Sequence, residues 1–259
     1  MNESYILITG ASSGIGAGFA REFAKKGKPL ILVARREERL RAIQREFPDV
    51  DIQVLPFDLF QMRSGEKLFE ICRHNHWEVT GLINNAGLGW QKDLCLLSEE
   101  ETDRMLTINL VSLTHTCRLF LQPMIQKKSG FVLNVASIAG FQALPHFSVY
   151  AATKAYVIHL SEALYEEVKG KGVFVGCLCP GPAHTEFKAV SGMERKFFTY
   201  AQNVDTVVLA GIKAIKYKTP VAYTSLIQEI LCSCIGFTPR FLHRKFASFL
   251  MKLAGAHRI

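Results

Sequence analysis

The stretch that decides the fold is Thr9-Gly10-Ala11-Ser12-Ser13-Gly14-Ile15-Gly16. It follows the apolar run Tyr5–Thr9, which is typical of a buried strand, and it opens Ile15–Lys26, where apolar side chains recur at helical spacing. Glycines let the backbone turn tightly and approach a pyrophosphate, and a helix start offers free N–H groups. Glycines also mark ordinary turns, but between a first strand and a first helix the motif predicts a dinucleotide site.

Short apolar runs alternate with helical patterns on both sides of this motif. The predicted strands are Tyr5–Thr9, Leu30–Ala34, Ile52–Pro56, Gly81–Asn84, Gly130–Val135, Val173–Leu178 and Val221–Tyr223, and the predicted helices include Ile15–Lys26, Glu37–Phe47, Thr102–Gln126 and Tyr150–Lys169. Strands that are apolar almost throughout are typical of parallel sheets covered on both faces. We therefore expect one Rossmann-like, doubly wound α/β domain over residues 1–224, with a seven-stranded, mostly parallel sheet and a C-terminal helical extension over 225–259.

The composition is that of a globular protein. Of the 259 residues 49% are hydrophobic, and no apolar run reaches the length of a membrane-spanning helix. The seven cysteines and the histidines lack metal-ligand spacing, and the N-terminus lacks the pattern of a signal peptide, so we expect reduced thiols, no metal and a cytoplasmic protein. The net charge of +8 suits any anionic ligand, including a phosphorylated cofactor, and no basic run with interleaved aromatics points to nucleic acid.

The end of the second predicted strand bears on the choice of cofactor. NAD sites usually carry an acid there that binds the ribose 2′-hydroxyl. Here Ala34 is followed by Arg35 and Arg36, and a guanidinium can hold a 2′-phosphate through two hydrogen bonds. Two solvated surface arginines are the alternative, but a helix N-terminus disfavours cations. The sequence therefore favours NADP(H) over NAD.

With these motifs the sequence resembles the short-chain dehydrogenase/reductase family. The glycine stretch matches TGxxxGIG, Asn84–Gly87 matches NNAG, Tyr150 with Lys154 reproduces YxxxK, and Pro180–Thr185 matches PGxxxT. The matches extend from residue 5 to about 224. The glycine motif, the two arginines after the second strand and the resemblance together assign the following residues to cofactor binding: Gly10, Ser12, Ser13, Gly14, Ile15, Gly16, Arg35, Arg36, Asp58, Leu59, Asn85, Ala86, Gly87, Tyr150, Lys154, Pro180, Gly181 and Thr185.

The resemblance implies a catalytic set of Asn109, Ser137, Tyr150 and Lys154. Tyrosine, with an ordinary pKa of about 10, is a poor acid–base group at neutral pH. Lys154 lies one helical turn after Tyr150, and at ~5 Å its charge would favour the tyrosinate by about 3 kcal/mol, or roughly two pKa units. By resemblance, Ser137 would hold the substrate oxygen, Lys154 the nicotinamide ribose, and Asn109 a water that resupplies protons. Each residue alone has an ordinary structural interpretation, and only the ordered set favours catalysis.

Apolar residues follow the carboxyl ends of three predicted strands, where open α/β sheets bind ligands. The predicted substrate-binding residues are Ser137, Trp90, Phe141, Leu144 and Phe187. The segment after the sixth strand, with Met193, Phe197, Phe198 and Tyr200, would act as a lid, as in the family. These loops favour a bulky lipophilic carbonyl or alcohol substrate, of 3-oxoacyl or steroid-like type among others. Packing in the core or at a subunit interface is the alternative for any single aromatic.

The residues beyond the seventh predicted strand depart from the family pattern. Phe241, Phe246, Phe249 and Leu250 recur at helical spacing, and no acid occurs from Pro239 to Ile259. We expect a helix over Pro239–Ala254 whose apolar stripe packs on the domain or on a second subunit of a homodimer or homotetramer. Peripheral contact of residues 239–254 with an anionic membrane is the alternative.

Taken together, the patterns predict an NADP(H)-dependent oxidoreductase that moves a hydride between the nicotinamide and a carbonyl or alcohol group, with Tyr150 as general acid and base. A non-catalytic NADP-binding regulator is a second hypothesis, but such a protein is expected to lose the tyrosine or lysine that this chain retains. A reductase working at a membrane surface is a third hypothesis. It depends on whether the C-terminal helix is free to bind lipid.

Overall fold

A computed structural model describes residues 4–187, 191–192, 201–235 and 237–253. These residues form a seven-stranded sheet in the order β3-β2-β1-β4-β5-β6-β7, and all six strand pairs are parallel. The strands are β1 Ser4–Thr9, β2 Leu30–Ala34, β3 Ile52–Pro56, β4 Glu78–Asn84, β5 Gly130–Val135, β6 Val173–Cys179 and β7 Val221–Tyr223. The predicted Rossmann-like, doubly wound α/β fold is confirmed, and the sheet is parallel throughout.

Helices cover both faces of the sheet. They are α1 Gly14–Ala24, α2 Glu37–Glu46, α3 Ser64–His74, α4 Glu99–Leu106, α5 Leu113–Lys127, α6 Ser148–Val168, α7 Val204–Tyr217, α8 Leu226–Ile235 and α9 Arg240–Leu253. One core layer lies under α3, α5 and α6 and includes the buried Phe120 and Val157. The other lies under α1, α2 and α7 and includes Phe19 and Val208. Burial on both faces explains why the strands are apolar almost throughout.

The helix predicted over Thr102–Gln126 is longer and is interrupted in the middle. It begins with α4, where the Ser98 hydroxyl accepts a hydrogen bond from the N–H of Glu101 and the Glu101 carboxylate accepts one from the N–H of Ser98, a capping box. A π-helical segment, Thr107–Ser112, then joins α4 to α5. Single π-helical turns are frequent at functional sites, and this one contains Asn109.

The strand order fixes where a ligand can bind. β1 lies between β2 and β4, so the chain winds in one direction from β1 to β3 and in the other from β4 to β7. In open α/β sheets a crevice forms at such a switch point, outside the carboxyl ends of the strands. Gly10, Arg35, Asn85, Ser137 and Pro180 all follow carboxyl ends of strands and therefore border this crevice.

The C-terminal helix forms, but it packs through a different face from the one we expected. Among the described side chains of α9, those of Ala247 and Met251 are buried. Phe241, Phe246 and Phe249 are 52%, 58% and 57% exposed, so of the two predicted packing partners the chain's own domain is wrong, and a second subunit stays a prediction. The narrow face with Ala247 and Met251 lets the helix lie close to the domain, and the bulky aromatics point away. The side chain of Leu250 lies outside the described residues.

Candidate active site

A cavity of about 550 Å³ lies at the carboxyl ends of the central strands. It brings together almost all of the predicted cofactor-binding residues. Those that line it are Gly10, Ser12, Ser13, Gly14, Ile15, Arg35, Arg36, Asp58, Leu59, Asn85, Ala86, Gly87, Tyr150, Lys154, Pro180, Gly181 and Thr185. Gly16 does not line it. A Cβ at Gly16 would lie 2.3 Å from the carbonyl oxygen of Gly10, so this glycine allows the loop to pack on itself.

The loop between β1 and α1 has the backbone that a phosphate group requires. Gly10 and Gly14 adopt left-handed φ angles of 66° and 52°, which favour glycine. Ser13 precedes the first turn of α1, and its side chain makes no capping hydrogen bond. The first N–H groups of α1 therefore have no side-chain cap and face the cavity, which fits the pyrophosphate of a dinucleotide.

The loops after β1 and β4 are held against each other by hydrogen bonds. The Thr9 hydroxyl accepts from the N–H groups of Asn85 and Ala86 at 3.0 and 3.1 Å. The Asn85 amide donates to the carbonyl of Thr9 at 3.0 Å. A Cβ at Gly10 would lie 2.9 Å from Cα of Ala86, so only glycine permits this approach. Asn85 thus shapes the site by joining its two central loops.

The two arginines after β2 lie at the mouth of the cavity in different surroundings. Arg36 donates to the Ser12 hydroxyl at 3.1 Å and pairs with Glu186 at 2.7 Å. Arg39 also pairs with Glu186, and the guanidinium groups of Arg39 and Arg36 hold the pKa of that carboxyl below its usual value. Arg35 is exposed and makes no ion pair with any described residue. The loop after β2 therefore offers one uncommitted guanidinium and one that is shared with Glu186.

Tyr150 stands in the cavity wall on the first turn of α6. Its ring stacks on Phe147 at 4.4 Å between centroids and contacts Phe187 at 5.3 Å. The Ser137 hydroxyl, which hydrogen-bonds Tyr150, also accepts from the N–H of Ala139 at 3.1 Å. These contacts fix the position of the phenol with its hydroxyl beside Ser137.

Lys154 is buried one turn further along α6. Its amine donates to the carbonyl of Val135 at 2.9 Å and lies 5.6 Å from the ring centre of Tyr150. Glycine at position 87 leaves room for it, since a Cβ there would be 3.3 Å from the amine. The carboxyl end of β5 and the loop after β4 therefore set the direction of the lysine side chain.

Burial dominates the acid–base properties of this pair. It raises the pKa of Tyr150 to about 12, against the opposing effect of the Ser137 hydrogen bond. It lowers the pKa of Lys154 to about 8. The prediction that Lys154 brings the tyrosine pKa down towards neutrality is wrong for this protein. The desolvation of Tyr150 is the larger effect on its pKa, and the Lys154 amine is instead bound to the carbonyl of Val135.

Asn109 lies behind the cavity wall, not in it. Its amide oxygen accepts from the N–H of Leu88 at 2.9 Å, and its amide nitrogen donates to the Leu88 carbonyl at 2.8 Å and to the Thr153 hydroxyl at 3.0 Å. The side chain thereby ties the loop after β4 to α6. The water contact expected of Asn109 stays a prediction.

The predicted substrate-binding residues separate into two groups. Ser137, Leu144 and Phe187 line the cavity. Phe141 does not, because its ring packs in the core against Tyr223 at 5.7 Å. Trp90 also lies outside the cavity wall and packs against the buried cluster that contains Tyr150. Met193, Phe197, Phe198 and Tyr200 lie outside the described residues.

Several cavity residues were not among the predicted site residues, and three of them make notable contacts. Phe147 stacks on the candidate acid, Glu186 pairs with the cofactor-side arginines, and Met251 reaches the cavity from α9. Phe147 stands in a loop whose apolar character was evident, and Glu186 directly follows the PGxxxT match. The sequence gives no signal that Met251 comes back to the site.

Within the described residues there is no cluster of His, Cys, Asp or Glu that could hold a metal, and no helix is long and apolar enough to cross a membrane.

Comparison with known proteins decides the family. The model of the short chain dehydrogenase family matches residues 4–196. The chain belongs to the short-chain dehydrogenase family. This short-chain dehydrogenase is therefore an oxidoreductase that transfers a hydride with a nicotinamide cofactor, as the dehydrogenases and reductases that it resembles do.

Three relatives show how far the likeness extends. A very-long-chain 3-oxoacyl-CoA reductase of Rattus norvegicus is 27% identical over 250 residues, which are 93% of this chain and 77% of the relative. A solved short-chain dehydrogenase from Sphingobium yanoikuyae, in complex with NADPH, is 31% identical with a TM-score of 0.81. The match covers 86% of this chain and 88% of the solved chain. A bulky-bulky ketone specific alcohol dehydrogenase from Comamonas testosteroni is 29% identical with a TM-score of 0.75, and the match covers 87% of this chain and 88% of the dehydrogenase.

Proposed function

We propose that this short-chain dehydrogenase is an NADP(H)-dependent enzyme that interconverts a carbonyl and an alcohol on a lipophilic substrate, with Tyr150 as general acid and base. The observation that carries the proposal is the position of the Tyr150 phenol. It is buried in the wall of the same cavity that the arginines of the β2 loop line, bonded to Ser137 and next to Lys154. A buried phenol inside a dinucleotide site is suited to exchanging a proton with a bound substrate.

In the proposed reaction, Tyr150, Ser137 and Lys154 each have a separate role. When bound, the nicotinamide supplies or accepts the hydride at the substrate carbon. Tyr150 donates its proton to the substrate oxygen in reduction and takes it back in oxidation, while Ser137 hydrogen-bonds the same oxygen. A pKa of about 12 keeps the phenol protonated at neutral pH, so Tyr150 is ready to act as an acid. Lys154, whose amine lies beside Gly87 and Tyr150, would hold the nicotinamide ribose and keep positive charge near the phenol.

The preference for NADP(H) rests on the β2 loop. The end of β2 carries no acid that would bind a ribose 2′-hydroxyl and repel a 2′-phosphate. Arg35 and Arg36 both line the cavity there, and the side chain of Arg35 has no ion-pair partner among the described residues. The relative from Sphingobium yanoikuyae, which was solved with NADPH, supports the same choice.

The substrate class rests on the walls near Tyr150. They include apolar side chains from four separate segments, namely Leu88, Ile138, Leu144, Phe147, Phe187 and Met251. Such a wall favours a carbonyl compound with large apolar groups. Two relatives are named for bulky ketones and for very-long-chain 3-oxoacyl-CoA, and these names support a substrate of comparable size.

A substrate panel tests the proposal. The purified chain is given NADPH or NADH with ketones that carry progressively larger alkyl and aryl groups, and with 3-oxoacyl thioesters of increasing chain length, while cofactor absorbance is followed. We expect kcat/KM to rise with apolar size and to be higher with NADPH. A protein that binds NADPH but turns over no member of the panel would contradict the proposal and favour a non-catalytic NADP-binding protein.

A further inference from the structure

The two C-terminal helices present an unusual concentration of exposed apolar side chains. Of the 17 large apolar side chains that are exposed among the described residues, nine lie between residues 226 and 249. We call these nine the α8–α9 surface: Leu226, Ile227, Ile230, Leu231, Phe237, Phe241, Leu242, Phe246 and Phe249. Scattered exposed apolar residues are ordinary, but a concentration of this kind marks a site of interaction.

The charges around this surface are almost all positive. Arg240, Arg244, Lys245 and Lys252 are exposed on α9, and Glu229 is the one acid within residues 226–253. On a helical projection Lys245 and Lys252 fall inside the arc of exposed aromatics, where long side chains can lie along an apolar surface and extend their amines to its polar edge. A helix with this mixture of aromatic and basic side chains suits the boundary between lipid headgroups and acyl chains.

From these observations we propose that the α8–α9 surface docks the protein on an anionic lipid bilayer. The charge pattern distinguishes this partner from a second copy of the chain. A two-fold dimer through the same surface would bring two sets of basic side chains into one interface, with a single Glu229 from each copy to neutralise them. Anionic phospholipid headgroups supply the missing negative charge, and the acyl region accepts the aromatics.

The surface is joined to the candidate active site through α9. Met251, on the buried face of this helix, lines the cavity and packs in the same cluster as Phe147 and Tyr150. The aromatics that would enter the bilayer lie on another face of the same helix. A docked protein would therefore hold its cavity close to the membrane surface, where lipophilic carbonyl compounds concentrate. This last step rests on the proposed function, whereas the docking itself does not.

Vesicle sedimentation tests the docking. The full chain is mixed with vesicles of phosphatidylcholine alone or of phosphatidylcholine with phosphatidylglycerol. We expect it to sediment with the anionic vesicles, much less with the neutral ones, and less as salt is raised. The double variant Phe246→Ser/Phe249→Ser should bind anionic vesicles at least about tenfold more weakly, because burial of each phenylalanine favours the bound state. Lys245→Glu should weaken binding to the anionic vesicles and leave binding to the neutral vesicles unchanged.

Controls keep the outcomes distinct. Met62→Ser removes a side chain that is 83% exposed outside the α8–α9 surface, and it should sediment like the unchanged protein. NADPH affinity, measured on every variant, reports whether each is folded. The proposal is overturned if the unchanged chain stays in solution with anionic vesicles, or if the double variant still binds them. It is also overturned if the chain is a dimer without lipid that the double variant dissociates. An inactive chain that binds vesicles would contradict the proposed function and leave the docking intact.

Discussion

The amine of Lys154 lies 5.6 Å from the ring centre of Tyr150, and both side chains are buried. Burial moves their pKa values in opposite directions relative to solution, to about 12 for the phenol and about 8 for the amine. At neutral pH the phenol is therefore fully protonated and the amine is mostly charged. A pair in this state is prepared to give a proton to a substrate oxygen, which is what carbonyl reduction requires.

The first prediction concerns pH. The kcat/KM for NADPH reports ionisations of the cofactor-free protein, the state to which these pKa values belong. Lys154 is charged below its pKa of about 8 and loses its proton above it, while Tyr150, with a pKa of about 12, stays protonated. We expect kcat/KM for NADPH to be constant below pH 8 and to fall above it.

The variant Lys154→Arg provides the check on this assignment. A guanidinium keeps its charge throughout the range, so the fall near pH 8 should disappear even if overall activity is lower. A wild-type profile that stays level well above pH 8, or a fall that persists in Lys154→Arg, would show that another group is responsible.

The second prediction concerns the uncommitted arginine of the β2 loop. Replacing Arg35 by Ala should weaken NADPH binding by about 1–3 kcal/mol, the size of a charge-assisted hydrogen bond, and leave NADH binding nearly unchanged. Calorimetry with both cofactors measures the difference. Arg41→Ala, on the α2 helix that follows the β2 loop and paired with Glu37, is the matched control and should change neither affinity. Equal loss for NADPH and NADH in Arg35→Ala would contradict the assignment.

The third prediction concerns Glu186, which shares Arg36 and Arg39 at the mouth of the cavity. Its carboxylate would compete with a 2′-phosphate for these guanidinium groups and would repel it. The variant Glu186→Gln should therefore bind NADPH several-fold more tightly and NADH as before, with the gain shrinking as salt is raised. Titration of each cofactor by fluorescence checks this. A weaker NADPH complex would mean that Glu186 supports the site by holding the arginines in place.

The fourth prediction concerns a buried polar network beneath the site. Asn134 accepts from the Asn84 amide at 2.9 Å and donates to the Ser161 hydroxyl at 2.9 Å. Asn134→Ala would remove one hydrogen-bond partner from each of the buried Asn84 and Ser161 and leave a cavity, and each lost buried hydrogen bond costs about 1–3 kcal/mol, so we expect the free energy of unfolding to drop by at least about 2 kcal/mol. Urea unfolding measures this. Asn75→Ala, at an exposed helix end, should cost about 1 kcal/mol or less. A similar loss in both variants would refute the role of the network.

The sequence predicted the fold well because its main signals are local. The glycine loop, the apolar strands and the helix of Tyr150 and Lys154 each depend on neighbours along the chain, and the structure contains all of them. Whether an aromatic faces the cavity or the core depends on distant contacts. Phe141 packs against Tyr223, a residue of β7, and the spacing of apolar residues carries no information about that contact.

The burial of individual side chains was the other property that the sequence did not predict. The spacing of Tyr150 and Lys154 predicted their proximity correctly, but the pKa of the phenol depends on how completely the surrounding segments exclude water. In the same way, the helical period of α9 was correct, yet the period alone did not reveal that Ala247 and Met251 face the domain while Phe246 faces outward. Both errors concern tertiary environment, which periodicity does not encode.

The central claim is that the Tyr150 hydroxyl transfers the proton, and Tyr150→Phe tests it most directly. Phenylalanine keeps the ring that packs on Phe147 and Phe187, so folding and NADPH affinity should be preserved. The best ketone of the panel is reduced with NADPH by the unchanged chain, by Tyr150→Phe and by Tyr156→Phe, a control on the exposed side of α6. The account predicts that kcat falls by about 10²–10⁴ in Tyr150→Phe and is unchanged in Tyr156→Phe. Turnover near that of the unchanged protein in Tyr150→Phe would contradict it.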